Sequence, residues 1–141
     1  MKTRFLIYGA AGMLMEILWT GSGSIIQGRW ALTGFTYLWM FPIYGLAVLM
    51  EPVHEAIRPA PWWVRGAIWA SFIIMLEYAA GWVLQSTIGF CPWNYSPHTD
   101  SHVNGFIRLD YVPAWFVVGL LFEKFHDLLE RVLILKRPPK I

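Results

Sequence analysis

Apolar positions in this chain gather into four long stretches, separated by short segments rich in turn residues or polar groups. The first runs from about Phe5 to Ile26, the second from about Thr36 to Met50, and the third from about Trp62 to Leu84; the fourth starts near Tyr111 and passes Phe122. A bilayer core of ~30 Å takes ~20 mostly apolar helical residues to cross. The second stretch is short by itself but has an apolar approach through Trp30, Ala31 and Leu32. The pattern predicts four transmembrane helices. Beyond the last of them the period changes. Phe122, Phe125, Leu129, Val132 and Leu135 recur at three- and four-residue spacing, with Glu123, Lys124, Asp127, Glu130 and Arg131 in the gaps. That is the pattern of an amphipathic helix lying along or under the membrane, and Pro138 and Pro139 are expected to end it.

Composition agrees. The chain has 141 residues, of which 57% are hydrophobic and 14% charged, against ~25% charged in a soluble domain. Nine Trp suit the interface between lipid and water, where one side of the ring is apolar and one edge is wet. The start, Met1 to Arg4 followed by an apolar run, also fits a secretory signal, but Glu16 interrupts the run and no clean cleavage site follows, so a retained helix is expected. The net charge of +2, with basic residues spread rather than clustered, excludes nucleic acid as a partner. A single cysteine, Cys91, excludes an intrachain disulfide framework.

Charge also sets an expected orientation. Lys2, Arg4, Arg58, Arg65, Lys124, Arg131, Lys136, Arg137 and Lys140 fall on one side of the four stretches, and only Arg29 and Arg108 on the other. Both termini and the middle connection are therefore expected in the cytoplasm, with the protein integral to the cell membrane, plasma or bacterial inner.

The two halves resemble each other. Gly34, Phe35, Leu38 and Pro42 match Gly105, Phe106, Leu109 and Pro113 at a constant offset of 71. Leu49, Glu51 and His54 match Leu121, Glu123 and His126 at 72, where Glu55 faces Asp127; Glu16 pairs with Glu77 and Gly28 with Gly89 at 61. The expected fold is thus all-α: four transmembrane helices as two tandem two-helix repeats, about 5–55 and 62–127, with the amphipathic extension running into a cytoplasmic tail over 128–141. Parallel repeats of this kind relate by a pseudo-two-fold axis along the membrane normal.

Glu16 and Glu77 lead the candidate functional residues, because each falls near the middle of a span, where a carboxylate costs at least ~2.5 kcal/mol unless paired, protonated or watered. At equivalent places beside the pseudo-axis they would hold a proton, a small cation or the amine of a substrate; bonded to Arg29, Arg108 or Ser71 they would be structural. Arg29 and Arg108, on Gly-rich or aromatic outer loops of a kind that can fold back into the protein, would pair with the acids or bind an anionic lipid headgroup. Arg108 is favoured because Asn104 and Asp110 flank it. Cys91, His98, Asp100 and His102 have the chemistry of a zinc set without a standard spacing, so no metal or other cofactor is expected. His54 and His126 suit capping and interfacial solvation. Trp62 and Trp63 read as interface anchors, and Gly66 and Ala70 as a small-residue packing face. No Walker loop, nucleophile elbow or HExxH pair is present, and no enzymatic activity is expected.

The run Trp93-x-Tyr95-Ser96, then Gly105-x-Ile107-x-Leu109, Trp115, Gly119 and Phe122 resembles the ABC-transporter type IV, or CmpB-like, family of membrane proteins. The similarity covers most of the chain and is most specific from about Cys91 to Glu123. It implies a permease subunit. The chain departs from an ordinary ABC permease in its four spans and in the lack of a coupling helix between the second and third, and Asn94 stands where an acid is expected. The function expected is a small transporter or transport-complex subunit, working as a homo-oligomer or with a membrane partner. The alternatives are a scaffold or lipid-binding subunit and, least favoured, a lipid-headgroup enzyme built on His98, Asp100 and His102.

Overall fold

A computed structural model describes residues 1–135. The chain is mostly helical: α1 (Lys2–Ile26), α2 (Met40–Gly45), α3 (Glu51–Ile57), α4 (Trp62–Ile88) and α5 (Val112–Leu135). It forms two compact units, Met1–Val53 and His54–Ile141.

Two of the four expected spans, α1 and α4, are unbroken apolar helices long enough to cross a membrane. At 1.5 Å per residue they measure about 37 and 40 Å. Their outward faces carry Leu14, Leu18, Trp19, Met75 and Trp82, all more than half exposed, a surface suited to lipid rather than water.

The second expected span takes another form. Thr36 is not helical; α2 starts at Met40, passes through a 3₁₀ turn over Leu46–Met50 and continues as α3. The delay has a cause in unit one. Thr20 Oγ1 exchanges hydrogen bonds with the backbone N–H and C=O of Phe35, each at 2.9 Å, which holds the chain extended against α1. Gly34 fits there because a Cβ would collide with Ile17 O. The last helix, α5, runs unbroken past Phe122 to Leu135, while Pro138 and Pro139 lie outside the described residues. Glu123 interrupts its apolar run after eleven residues, which is why it falls short of a simple apolar span.

The expectation of an all-α chain needs one correction. His102–Val103 and Ile107–Arg108 pair as a short antiparallel ladder. Asn104 and Gly105 turn the chain with φ of 53° and 73°, the left-handed geometry that an Asn-Gly hairpin supplies.

Within each unit the long helix packs by fitting side chains into glycine gaps, and the arrangement recurs with the partners exchanged. In unit one Phe5 of α1 fills the gap at Gly45; in unit two Phe116 of α5 fills the gap at Gly66 of α4. Gly66 stands 61 after Phe5, and Phe116 stands 71 after Gly45. Tyr44 likewise covers Gly12, and Trp69 covers Gly119.

Candidate functional site

Four carboxylates lie against the long helices, two in each unit, and each accepts a side-chain hydrogen bond. On α1, Glu16 Oε2 accepts from Thr36 Oγ1 at 2.7 Å and Tyr44 Oη at 2.9 Å. One end of the same helix meets Glu51 of α3, which accepts from Arg4 Nη1 at 2.8 Å and Tyr8 Oη at 2.9 Å. On α4, Glu77 Oε1 accepts from Tyr95 Oη at 2.8 Å. Glu123 of α5 accepts from Arg65 Nε at 3.0 and 3.1 Å and from Trp69 Nε1 at 2.8 Å.

These donors stand at the offset that relates the acids. Arg65 is Arg4 plus 61, Trp69 is Tyr8 plus 61, and Glu123 is Glu51 plus 72. Each unit therefore ties its long helix by an Arg and an aromatic N–H or O–H onto one acid, and carries a second acid on the same helix, twelve residues after the Arg and eight after the aromatic donor. The second tie is the more enclosed: the Glu123 side chain is 5% exposed and that of Glu51 16%.

The loop after α4 is built around the Trp93-x-Tyr95-Ser96 run. Trp93, buried, donates from Nε1 to Phe106 O at 3.0 Å, and Tyr95 N–H donates to Gly105 O at 2.9 Å. Ser96 donates to Asn94 Oδ1 through both N–H and Oγ. Gly105 cannot carry a side chain, since its Cβ would run into Asn94 Oδ1, and its N–H donates to His102 Nδ1 at 3.0 Å. Together these bonds pin the hairpin and set Tyr95 with its hydroxyl on Glu77. Asn104 donates to Tyr78 Oη at 2.9 Å.

Within unit two, among the described residues, Arg108 makes no direct pair with Glu77. It donates to both oxygens of Asp110, at 3.0 and 2.5 Å, and its guanidinium lies over the Tyr111 ring at 4.2 Å and the Tyr95 ring at 5.9 Å. Tyr95 thus lies between Arg108 and Glu77, touching both. Hydrogen bonding to Arg108 holds the Asp110 carboxyl below its ordinary range. Tyr111 in turn packs edge-on against Trp115, centroids 6.2 Å apart. The Trp115 indole N–H is buried and has no hydrogen-bond partner among the described residues. Trp115 is Tyr44 plus 71, the place from which Tyr44 donates to Glu16 in unit one. Arg29 is exposed and donates to Gln27 Oε1. Ser71, the other candidate partner for the acids, donates to Ala67 O.

Among the described residues Cys91, His98, Asp100 and His102 do not bring three ligand atoms together. Cys91 donates to Trp93 O, and burial pushes its thiol up. The histidines that do converge are His54 of α3 and His126 of α5, 3% and 2% exposed, with ring centroids 5.3 Å apart. Asp127 lies beside them, 3.2 Å from His54 Nε2, and also accepts from Arg58 Nη2 at 2.6 Å.

The roles of Arg4, Tyr8, Arg65 and Trp69 went unread in the sequence, where arginines served to orient the chain and aromatics to mark the interface. Their signal was there: they recur at the same offset of 61 as Glu16 and Glu77.

No solved structure matches the chain. Helices long and apolar enough to cross a bilayer, with bulky apolar side chains facing outward, agree with a membrane protein. Residues 3–140, nearly the whole chain, match the family model described as Putative ABC-transporter type IV, and the chain belongs to that family.

Proposed function

We propose that this protein is the membrane subunit of a transport system, and that Glu16 and Glu77 are its proton- or cation-binding groups. In this reading the chain crosses the bilayer four times as two tandem repeats, with both termini on the cytoplasmic side. The observation that carries it is that each long apolar helix holds one acid just past its middle and that hydroxyls reach it, from Thr36 and Tyr44 at Glu16 and from Tyr95 at Glu77. A hydroxyl donates to a carboxylate and, after rotating, accepts from a carboxylic acid. Both protonation states therefore keep a partner, and no rearrangement of the fold is needed to load or release the ion. Intramembrane acids in such surroundings mark ion and proton pathways.

Tyr95, Arg108 and Asp110 form the outer approach to Glu77, with the Trp115 N–H available to a carbonyl or water nearby. Four helices hardly enclose a pathway, so the working unit is a homo-oligomer or a complex with a further membrane subunit. The test is proton-coupled flux in proteoliposomes holding the protein with whatever subunits copurify. Glu77→Gln and Glu16→Gln should each abolish flux while the melting temperature stays near that of the parent. Undiminished flux in both variants would remove the proposal.

A scaffold or lipid-binding role is the second reading, favoured by the Arg4–Glu51 and Arg65–Glu123 ties. It predicts instead that Glu16→Gln lowers stability and that the parent carries no flux to lose.

A further inference from the structure

The cluster at His54 and His126 plays no part in the reading above, yet it has the make-up of a metal centre. We propose that His54, His126 and Asp127 hold a divalent first-row metal ion of the zinc class, with Glu55 and Glu130 completing or exchanging in the coordination. One ligand atom from each of His54, His126 and Asp127 lies within 4.8 Å of the others, and the same holds for Glu55, His126 and Glu130. His126 is common to both sets. Two imidazoles and carboxylates without sulfur suit zinc and its neighbours rather than calcium or magnesium.

Three features favour a metal over a plain hydrogen-bonded cluster. Both histidines are almost fully buried, where an imidazole nitrogen without a partner is costly; the one so placed belongs to His54. His54 Nδ1 is buried without a hydrogen bond. It faces Glu123 Oε1 at 3.7 Å while Nε2 faces Asp127 Oδ1 at 3.2 Å. A ligating histidine needs that division of labour, with one nitrogen toward the ion and the other toward an orienting carboxylate. Glu123 is itself held by Arg65 and Trp69, so the orienting group is fixed in advance. The competitor is Arg58, whose Nη2 sits on Asp127 Oδ1. Its side chain is 45% exposed, in the turn after α3, and it can swing into solvent as the ion enters. A bound ion would clamp the end of α3 to the second half of α5.

The experiment uses the full-length protein in detergent, stripped with chelator and titrated with Co²⁺ and then Zn²⁺. Visible d–d bands of low-symmetry Co²⁺, saturating at one ion per chain and quenched by Zn²⁺, are expected. His126→Ala should weaken Zn²⁺ binding by more than about a hundredfold, since second-shell partners alone are worth roughly 10- to 100-fold. The double variant His98→Ala/His102→Ala should leave it unchanged. Absence of the bands in the parent protein overturns the proposal, and so does equal binding by His126→Ala. Should that variant fail to fold, X-ray absorption of the zinc-loaded loop variant decides: two imidazole ligands support the site, and none refutes it.

Discussion

At Gly119 a side-chain carbon would run into Trp69 Cβ, and Trp69 is fully buried, so neither side can yield. Gly119→Ala should cost about 1–3 kcal/mol, the usual range for overpacking, read as a lower melting temperature in detergent. Gly23 has nothing within 4 Å of its would-be Cβ, and Gly23→Ala should be neutral or stabilising by up to ~1 kcal/mol, as expected in a helix. The two ion-pair ties differ in the same graded way. Arg65→Met leaves Glu123 enclosed without its cation and should cost about 3–5 kcal/mol, the range for breaking a buried pair. Arg4→Met should cost less, because Glu51 keeps more contact with solvent; equal losses would show that enclosure does not set the cost. At this scale the sequence was only partly legible. Glu16 and Glu77 stand out because a charge in an apolar run is conspicuous. Thr36, Tyr44 and Tyr95 do not, because a hydroxyl in a loop or helix turn is ordinary until folding brings it to an acid 18 to 28 residues away.

The elements repeat that contrast. Long apolar runs translate into α1 and α4 nearly residue for residue, since little else competes for such a segment. The stretch from Thr36 was harder to read, because its first residues are claimed by side-chain bonds to α1 that hydrophobicity does not register. The hairpin was legible in principle: Asn104-Gly105 between Val103 and Ile107 is a turn signal hidden among apolar neighbours. Just beyond the hairpin the Arg108–Asp110 pair gives a pH dependence. The Asp110 carboxyl is held below its ordinary range in the folded loop. Its stabilising effect is therefore fully present above about pH 4, near the free-carboxylate value, and is lost as pH falls through the lowered folded value. Amide exchange over 107–111, corrected for its intrinsic pH dependence, should stay flat from neutral pH down to that point and rise below it. Asp110→Asn should show the raised exchange already at neutral pH.

For the whole molecule, the orientation drawn from the arginines and lysines can be checked with the chain's single cysteine removed. In a Cys91→Ser background, Ser101→Cys should react with a membrane-impermeant maleimide added to intact cells. Ala56→Cys should react only after permeabilisation; both positions are exposed in the structure. Reversed labelling would invert the proposed topology. On the proposed tandem-repeat reading, the exchanged packing of Phe5 on Gly45 and Phe116 on Gly66 bears on how the two halves would have diverged. In that reading, bulk lost from one helix stands opposite bulk gained on its neighbour, and changes to the halves would be accepted in matched pairs. A chimera with the α1 sequence in place of α4 would set one phenylalanine against another, and the converse graft would leave glycine facing glycine over a void. Each half would thus be inherited as a unit, and a recombination point inside one would carry a penalty that a crossover between them escapes.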